Sequence, residues 1–291
     1  MIENNFMSAT DLNLENKNQL FLTSCSSNSY ILQEDQCAIQ RLISLNKSSN
    51  PYTQGFLSKL KLPKDCTILT VGCGIGILET WMAKELCPLG HITAIDSSEN
   101  LLNFARQRAF SLGLTNITFI CRDIYNMDWS NQFDFAHCRF FLEHLKNPKE
   151  AITRILRSLK NQATFLIEDD ELSTNYTDPP HPAYKATLAL AKRVANILGV
   201  DYNMGRNLEQ LLTEQGAFIL ESHSQYCEMV TPEERSLFEQ TVEESSAKLI
   251  ANGIISQQEI DELLQGLKEV RDGNYRIFEK LYQIYIQKID N

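Results

Sequence analysis

The 291-residue sequence predicts an α/β protein with a doubly wound, mostly parallel sheet of about seven strands. Short apolar runs alternate with helical segments, a glycine-rich turn joins the first run to a helix, and a run of alternating apolar and polar residues stands near the C-terminus. Near-continuous apolar strands are typical of parallel sheets, because helices cover both faces. The alternating final run predicts an antiparallel last strand with one half-solvated face.

The N-terminal segment precedes this alternation. Residues 1–28 are rich in Asn, Ser and Thr and predict a weakly ordered arm. Residues 30–47 carry apolar side chains near helical spacing, and residues 52–61 predict a second short helix before the break at Pro63. We therefore expect an N-terminal arm with helices over residues 1–62.

The core elements follow in regular order. The predicted strands span 67–71, 91–96, 116–123, 133–139 and 163–169. The predicted helices between them span 77–86, 98–113 and 147–160. The second helix is expected to begin after Ser97 or Ser98 as N-cap and to end at Gly113, and the third has Pro148 in its first turn.

The pattern changes after the fifth strand. Further predicted helices span 181–199, 207–216, 232–252 and 256–272, and further predicted strands span 218–230 and 282–288. We expect a sheet core over 63–230, in which 171–205 forms a loop and helix on the substrate side. Residues 231–274 are then a helical insertion that serves as a cap, and 275–291 return to the sheet.

Composition and charge exclude some classes of function. Apolar residues make up 43% and charged residues 22%, as in ordinary globular proteins. The net charge is −10, and residues 200–291 hold 17 acids against 8 bases. Nucleic-acid affinity depends on Lys and Arg, so no nucleic-acid partner is expected. The acidic last third is either a solvated surface or a cap that repels polyanions or attracts cations.

The cysteines and the N-terminus bear on the compartment. Eight cysteines form no CxxC, and no His pair stands at metal-ligand spacing, so no metal site is predicted. Several cysteines lie in apolar runs, as is typical of reduced buried thiols in the cytoplasm. The first 20 residues lack the basic and apolar regions of a signal peptide. No apolar run approaches the roughly 18 residues of a membrane span.

The sharpest motif is the turn Gly72-Cys73-Gly74-Ile75-Gly76, between the first strand and its helix. Glycines permit unusual φ angles and close approach of a ligand to the main chain. Asp96 ends the second strand, where an acid can hold both ribose hydroxyls of an adenosine; the alternative is a helix N-cap. Ile77 stands where the dinucleotide fingerprint needs its third glycine. An adenosine with an amino-acid tail is therefore favoured over NAD, whose pyrophosphate needs that glycine.

Four ordered segments extend this motif. They are VGCGIG (71–76), AIDSSENLLNFAR (94–106), CRDIYNM (121–127) and FDFAHCRFFLEHLKNPKEAI (133–152). Together they resemble the class I S-adenosylmethionine-dependent methyltransferases, most closely the branch acting on small molecules and quinone-like acceptors. The resemblance covers residues 65–170 well and 30–62 more loosely, and the last 120 residues match only in topology. It implies a Rossmann-like fold and S-adenosylmethionine as cofactor.

The resemblance implies a role for the glycine turn and the acid after it. The residues that would run along the methionine part of the cofactor are Gly72, Cys73, Gly74 and Gly76. Asp96 would bind the ribose hydroxyls, with Ser97 and Leu101 near the sugar and adenine. Cys73 is interpreted as a small turn residue rather than a nucleophile.

Three further residues would complete the cofactor site. Asp123 would hydrogen-bond the adenine amino group, with Ile124 beside it; the alternative for Asp123 is a cap of the turn after the third strand. Arg139 would line the methionine end and open towards the acceptor; its alternative is a surface ion pair. Thr70 stands where the family usually has an Asp that braces the glycine turn, so its presence is expected to weaken binding without excluding it.

The acceptor side offers fewer signals. An oxygen acceptor often needs a general base, and His144 follows the fourth strand on the substrate side; the alternative is a structural histidine. Glu168 and Asp170 lie in the acidic run at the carboxyl end of the fifth strand and could face the acceptor, unless the run is solvated. Tyr30, in the N-terminal segment, is the third candidate for substrate contact.

The sequence therefore predicts methyl transfer from S-adenosylmethionine to a small-molecule acceptor by in-line displacement. Methylation of RNA or protein, or a non-catalytic module that binds S-adenosylmethionine, stays open. An NAD-linked dehydrogenase is disfavoured by the missing third glycine. The oligomeric state is not indicated, and a homodimer is an open alternative.

Overall fold

The computed structural model describes residues 36–289 of the chain. The strands are β1 (Thr67–Val71), β2 (His91–Asp96), β3 (Ile117–Cys121), β4 (Phe133–Arg139), β5 (Leu159–Asp170), β6 (Tyr176–Asp178), β7 (Ala217–Met229) and β8 (Arg276–Lys288). The helices are α1 (Gln36–Leu57), α2 (Ile77–Trp81), α3 (Glu99–Ser111), α4 (Pro148–Ser158), α5 (Pro182–Leu198), α6 (Leu208–Glu214), α7 (Pro232–Ala251) and α8 (Gln257–Asp272). A π-helical turn, Met82–Leu86, extends α2.

The strands form one eight-stranded sheet in the order β3-β2-β1-β4-β5-β8-β6, with β7 paired to β8. Strands β1 to β5 are parallel, whereas β8 runs antiparallel to β5, β6 and β7. The chain proceeds outward from β1 to β3 and then returns to place β4 on the other side of β1. This reversal makes a switch point between β1 and β4, and ligands of such sheets bind outside the carboxyl ends of the strands there. The predicted fold class is confirmed.

Local signals account for most helix boundaries. The Ser98 hydroxyl accepts a hydrogen bond from Leu101 N at 3.3 Å and caps α3, which confirms the predicted start of this helix. Thr231 with Glu234, and Ser256 with Glu259, form capping boxes at the starts of α7 and α8. These caps fix the two helices within the segment that was predicted to be a helical insertion.

The two faces of the sheet pack into separate apolar clusters. Alternate residues of β1 point to opposite faces, so Leu69 joins a cluster with α4 and α6, whereas Ile68 joins a cluster with α2 and α3. A third cluster holds α5, α7 and α8 together around Tyr184. The layered core leaves the carboxyl ends of the strands as the edge where a site can form.

The N-terminal region differs from the prediction of two short helices. Residues 36–57 form one helix, with Pro51 inside it. Proline removes a backbone donor and disfavours a helix interior by about 3 kcal/mol. Here Pro51 itself is exposed, while Thr53, Phe56 and Leu57 are buried against the rest of the protein, so tertiary packing outweighs the local penalty. The prediction of separate helices over 30–47 and 52–61 is therefore wrong for residues 36–57.

The last strand is longer and more central than predicted. It begins at Arg276 rather than residue 282, and it has neighbouring strands on both edges. Ile284 and Ile286 join one core cluster, while the ring of Tyr285 lies 6.2 Å from that of Phe56 on α1. Buried and half-buried residues alternate along most of β8, so the predicted half-solvated face is partly covered where α1 packs on it. Within residues 36–289, every helix is too short or too polar to cross a membrane.

Candidate active site

A cavity of about 550 Å³ lies across the carboxyl ends of β1, β2, β4 and β5. Its volume is in the range of small-molecule and cofactor sites, about 300–1,000 Å³. Helices α1, α5 and α7 complete its wall. The cavity therefore occupies the switch point of the sheet and extends under the cap helices.

The glycine turn forms one end of this cavity. Gly72 N–H and Cys73 N–H both donate to the Ile95 carbonyl, at 2.9 and 3.1 Å, which ties the turn to β2. Gly74 has φ +51°, and a Cβ added there would meet nothing closer than Leu42 Cδ1 at 3.6 Å. The main chain at Gly74 is thus open to a ligand in the cavity.

Gly76 has a different role from the one predicted. It does not line the cavity, and a Cβ added there would lie 2.8 Å from Ala105 Cβ and 2.9 Å from the Phe119 ring. The residue lets the turn pack against α3 and β3. The expectation that Gly76 runs along the cofactor is corrected accordingly.

Cys73 is a buried member of the turn. Burial raises the pKa of its thiol well above the usual value, and the nearby Glu79 and Asp96 carboxyls add to that rise. A thiol with a raised pKa carries little nucleophilic thiolate. The geometry therefore agrees with its interpretation as a turn residue.

Asp96 is oriented by the main chain on both sides. Its Oδ2 accepts a hydrogen bond from Gly74 N–H at 2.8 Å, and its Oδ1 accepts one from Ser98 N–H at 2.9 Å. It lines the cavity together with Ser97 and Leu101. The carboxylate thus braces the glycine turn, the task that an acid at position 70 performs in the resembling family. Thr70 is buried, and its Oγ1 has no hydrogen-bond partner among the described residues.

Asp123 and Ile124 lie on the cavity wall beside this acid. Asp123 Oδ1 accepts a hydrogen bond from Tyr125 N–H at 2.8 Å and caps the short helical turn Ile124–Asn126. The capping alternative for Asp123 is therefore observed. A capped, oriented carboxyl in the wall is also compatible with a ligand contact, so its predicted adenine contact stays a prediction.

Arg139 ends β4 and binds the N-terminal helix. Its guanidinium donates to Thr53 Oγ1 at 2.7 Å, to Asn50 Oδ1 at 2.8 Å and to Asn46 Oδ1 at 3.1 Å. It lines the cavity, where burial lowers its pKa. These contacts differ from the alternative of a surface ion pair, because they fasten α1 over the sheet edge.

Glu79 was not identified from the sequence. It lies in the first turn of α2, is 5% exposed and lines the cavity next to the glycine turn. Burial raises the pKa of its carboxyl to about 7, and the Asp96 charge adds to this rise, whereas Arg139 opposes it. An acid on the apolar face of ILETWMA is the one signal that could have indicated it.

His144 lines the cavity from the short helical turn Leu142–His144, after β4. Its ring contacts Tyr202 edge-to-face at 5.5 Å, and its Nε2 is 3.4 Å from Glu143 Oε1. Burial, and the charge of Arg41, lower its pKa to about 3. A nitrogen with this pKa is a weak proton acceptor, so His144 suits hydrogen bonding better than general-base catalysis. Its catalytic role stays a prediction.

The predicted acceptor residues divide into three cases. Asp170 lines the cavity as expected. Glu168 does not; it is fully buried and accepts hydrogen bonds from Thr53, Gln283 and its partner His137 at 3.1, 2.6 and 2.7 Å. The prediction that Glu168 faces the acceptor is corrected, because these three hydrogen bonds hold its carboxylate in the core beneath α1. Tyr30 lies outside the described residues.

Two further acids share the cavity with Asp170. Glu143 follows β4 and Glu279 lies on β8, and both line the cavity while being almost fully buried. Burial raises the pKa of each to about 8. The sequence indicated neither residue as part of the site. Glu279 in particular reaches it only through the pairing of β8 with β5, which joins distant parts of the chain. Within residues 36–289, no group of three or more His, Cys, Asp and Glu side chains is arranged to hold a metal ion.

The cap helices supply the apolar wall of the cavity. The residues that line it from α5 and α7 include Leu190, Val194, Leu237, Phe238 and Val242. Arg41 of α1 also lines it, and its Nε is 2.7 Å from Glu244 Oε2 of α7. Helix α1, the helix of segment 171–205 and the insertion 231–274 therefore meet over the strand ends.

Residues 62–181 match a family model described as a methyltransferase domain. That segment is a methyltransferase domain. The predicted resemblance is confirmed for it, and the domain contains β1 to β5 with the glycine turn and Asp96.

Named relatives share part of this domain. The chain is 30% identical over 150 residues to the ubiquinone biosynthesis O-methyltransferase of Coxiella burnetii, which covers 51% of this chain and 59% of the relative. It is 28% identical over 102 residues to the demethylmenaquinone methyltransferase of Listeria monocytogenes, which covers 35% of this chain and 43% of the relative. The chain thus spans about half the length of these curated relatives.

The fold extends beyond the methyltransferase domain. A crystal structure of a S-adenosylmethionine-dependent methyltransferase from Aquifex aeolicus superposes with a TM-score of 0.50 at 16% identity, covering 81% of this chain and 89% of that one. Identity this low indicates a shared fold and nothing more. The shared part includes elements that lie outside residues 62–181.

Proposed function

We propose that the protein transfers a methyl group from S-adenosylmethionine to a small-molecule acceptor. One observation carries this proposal: the open main chain at Gly74 and the oriented Asp96 share a cavity with an apolar chamber under α5 and α7. The first part suits an adenosine with an amino-acid tail, and the second suits a partly apolar acceptor. The names of the quinone methyltransferases that the chain resembles also support methyl transfer to a small-molecule acceptor.

The cavity wall offers a partner for each part of the cofactor. Asp96 would receive the ribose hydroxyls, Asp123 the adenine amino group, and Gly74 the methionine backbone. Glu79 would receive the methionine ammonium, because it is the buried carboxyl nearest the turn in sequence and Thr70 offers none. When bound, the cofactor supplies a methyl group on a sulfonium, which is ready for in-line displacement.

The chain's own contribution is alignment and exclusion of water. Helices α1, α5 and α7 enclose the acceptor end, and Arg139 fastens α1 to the sheet edge. Positioning of two reactants can lower a barrier by ~7–11 kcal/mol. An enclosed cavity of this volume admits a small molecule more readily than a polymer. We therefore extend the proposal to exclude nucleic acid, consistent with the acidic last third.

We also propose a reducing, cytoplasmic location. The cysteines at 37, 66, 73, 87, 121, 138 and 227 are free thiols in the structure. Cys66 and Cys87 are both buried and hydrogen-bonded to each other as thiols, which raises the pKa of Cys66. Neighbouring buried thiols that form no disulfide in the structure fit a reducing compartment.

Titration calorimetry of the purified chain with S-adenosylmethionine, S-adenosylhomocysteine and NAD tests the cofactor. We expect both sulfur ligands to bind and NAD to bind far more weakly, since the pyrophosphate lacks its glycine. A methyl-transfer assay over a small-molecule panel and bulk RNA then tests the acceptor. Methylation of RNA alone would overturn the proposal.

The glycine turn gives a matched pair of variants. Gly74→Ala places a methyl group at the cavity wall, so we expect the thermal shift caused by S-adenosylmethionine to shrink or vanish. Gly113→Ala is the control, because Gly113 has φ +67° and open space around it but ends α3 away from the cavity. Each variant should lose about 1 kcal/mol of stability from the left-handed backbone, and only Gly74→Ala should lose the ligand response. An equal ligand response in both variants would contradict the proposed path of the cofactor.

The Glu79 assignment predicts a loss of affinity. Glu79→Gln should weaken S-adenosylmethionine binding about tenfold, since it removes one charge-assisted contact. Because the pKa of Glu79 is about 7 and an α-amino group has a pKa of about 8, wild-type affinity should be greatest between those pH values. In Glu79→Gln, the affinity for S-adenosylmethionine should no longer fall as the pH drops below about 7. Glu85→Gln, on the exposed side of the same helix, is the control, and an unaltered profile in Glu79→Gln would reject the assignment.

A further inference from the structure

Three carboxyl groups form one side of the cavity, which we name the acidic floor: Glu143, Asp170 and Glu279. They come from the turn after β4, the end of β5 and the first part of β8. All three line the cavity, and their exposed fractions are 8%, 5% and 7%. The sheet thus brings together three acids that are far apart in sequence, next to the apolar wall.

The floor lacks a matching positive partner within the described residues. Glu143 and Asp170 share a hydrogen bond, and Asp170 Oδ2 also accepts one from Asn175 at 3.1 Å. Glu279 Oε2 is buried and has no hydrogen-bond partner among residues 36–289. The hydroxyl of Tyr184, which is buried close enough to feel the charges of Glu279 and Asp170, has no partner there either.

The bases of the cavity wall have other contacts. Arg139 donates to three side chains of α1, and Arg41 is paired with Glu244. His144 is neutral at physiological pH because its pKa is about 3. The acidic floor therefore has no Lys or Arg side chain of its own among residues 36–289, and burial keeps Glu143 and Glu279 largely protonated near neutral pH until a cation arrives.

Buried carboxyl groups without partners are costly, so this arrangement fits a ligand that supplies N–H donors and positive charge. A phenol or enol would instead have to build negative charge on oxygen beside three acids, which like-charge repulsion opposes. The apolar wall adds a requirement for a hydrocarbon body. We propose that the acceptor is an apolar amine whose nitrogen lies on the acidic floor and receives the methyl group. This inference rests on the proposed function.

The transfer balances without another reactant. An amine that enters as an ammonium passes one proton to a floor carboxylate, which frees its lone pair. The nitrogen lone pair forms the new N–C bond while the S–C bond breaks, and that electron pair stays on sulfur as a thioether. The product is the N-methylated ammonium, and the carboxyl group returns its proton to solvent. Glu143 or Glu279 thus takes the proton-accepting role that the sequence suggested for His144.

Calorimetry tests the floor on the full chain saturated with S-adenosylhomocysteine. The probes are apolar primary and secondary amines, each paired with the alcohol or phenol of the same carbon skeleton. We expect amines to bind at least about tenfold more tightly than their oxygen counterparts. Glu279→Gln and Glu143→Gln should each remove about tenfold or more of amine affinity while leaving the affinity for S-adenosylhomocysteine within about twofold.

Glu262→Gln is the matched control, because Glu262 is an exposed acid of α8 outside the cavity. Oxygen acceptors that bind as well as amines would overturn the inference, as would full amine affinity in both floor variants. If S-adenosylhomocysteine fails to bind the wild type, the proposed function itself fails. If it binds and no amine does, only the amine inference fails. Mass spectrometry of an N-methyl product from the tightest amine supplies a second, independent readout.

Discussion

Asp96→Ala is expected to weaken S-adenosylmethionine binding roughly 10- to 100-fold, because a charge-assisted pair of hydrogen bonds is worth about 1.5–3 kcal/mol. The carboxylate already accepts hydrogen bonds from Gly74 N–H and Ser98 N–H, so it is oriented before a ligand arrives. Its removal would eliminate the proposed contact to the ribose and would also release the glycine turn. Titration calorimetry measures the dissociation constant directly, and an unchanged constant would reject the role of Asp96.

The two effects of Asp96 can be separated with a modified ligand. If the carboxylate contacts the ribose, loss of a ribose hydroxyl and loss of the carboxylate should not be additive, as in a double-mutant cycle. We therefore compare S-adenosylhomocysteine with its 2′-deoxy analogue in wild type and Asp96→Ala. Full additivity would indicate that Asp96 only braces the turn. Asp65→Ala, at an exposed acid before β1, should leave every affinity unchanged.

The cofactor half of the site could be predicted because its signals are local. Gly72, Gly74 and Asp96 sit at the ends of β1 and β2, and parallel strands bring such ends to one edge without further information. Asp96 ends β2 and lines the cavity, but its main-chain contacts were not foreseen from the sequence. In this chain the acid after β2 braces the turn, and Thr70 does not take part. The sequence showed that Thr70 replaces the usual Asp, but only the structure showed that Asp96 braces the glycine turn instead.

The acceptor half could not be predicted to the same degree, because long-range contacts build it. Glu279 reaches the cavity because β8 pairs antiparallel with β5. The sequence predicted the last strand only over 282–288, so Glu279 fell outside it. Glu168 and Asp170 lie two residues apart on the same side of β5, yet only Asp170 lines the cavity. The Glu168 carboxylate is instead held by hydrogen bonds from Thr53, His137 and Gln283. Residues 36–57 form one helix where two were predicted, because burial of its C-terminal residues outweighs the local penalty of Pro51. In each case tertiary packing decided the outcome.

Raising the pH from about 6.5 to 8 is expected to destabilise the ligand-free protein by at least ~2 kcal/mol. Burial raises the pKa of Glu143 and Glu279 to about 8, so the native state retains protons that the unfolded chain has already lost. The native state then binds more protons than the unfolded state, and stability falls by about 1.4 kcal/mol per pH unit for each such group. Below about 6.5 the lowered pKa of His144 acts in the opposite direction, since the unfolded histidine binds a proton there and the native one does not. The pH range above 6.5 therefore reports on the buried carboxyls rather than on His144.

Glu279→Gln should remove one of these groups and raise the denaturation midpoint at pH 8 relative to wild type. The gain should shrink towards zero near pH 4.5, where the unfolded carboxyl of the wild type is itself largely protonated. The same substitution is expected to weaken amine binding. The free energy of unfolding should therefore rise while amine affinity falls, as at other sites where residues needed for function destabilise the folded protein. Glu143→Gln should likewise raise stability at pH 8 and lower amine affinity. The control Glu262→Gln, at an exposed residue, should change neither the stability nor the amine affinity. Denaturant unfolding at several pH values measures the free energy of unfolding in each variant. A stability gain that does not depend on pH would mean that Glu279 is ionised in the native state, contrary to its burial beside Asp170.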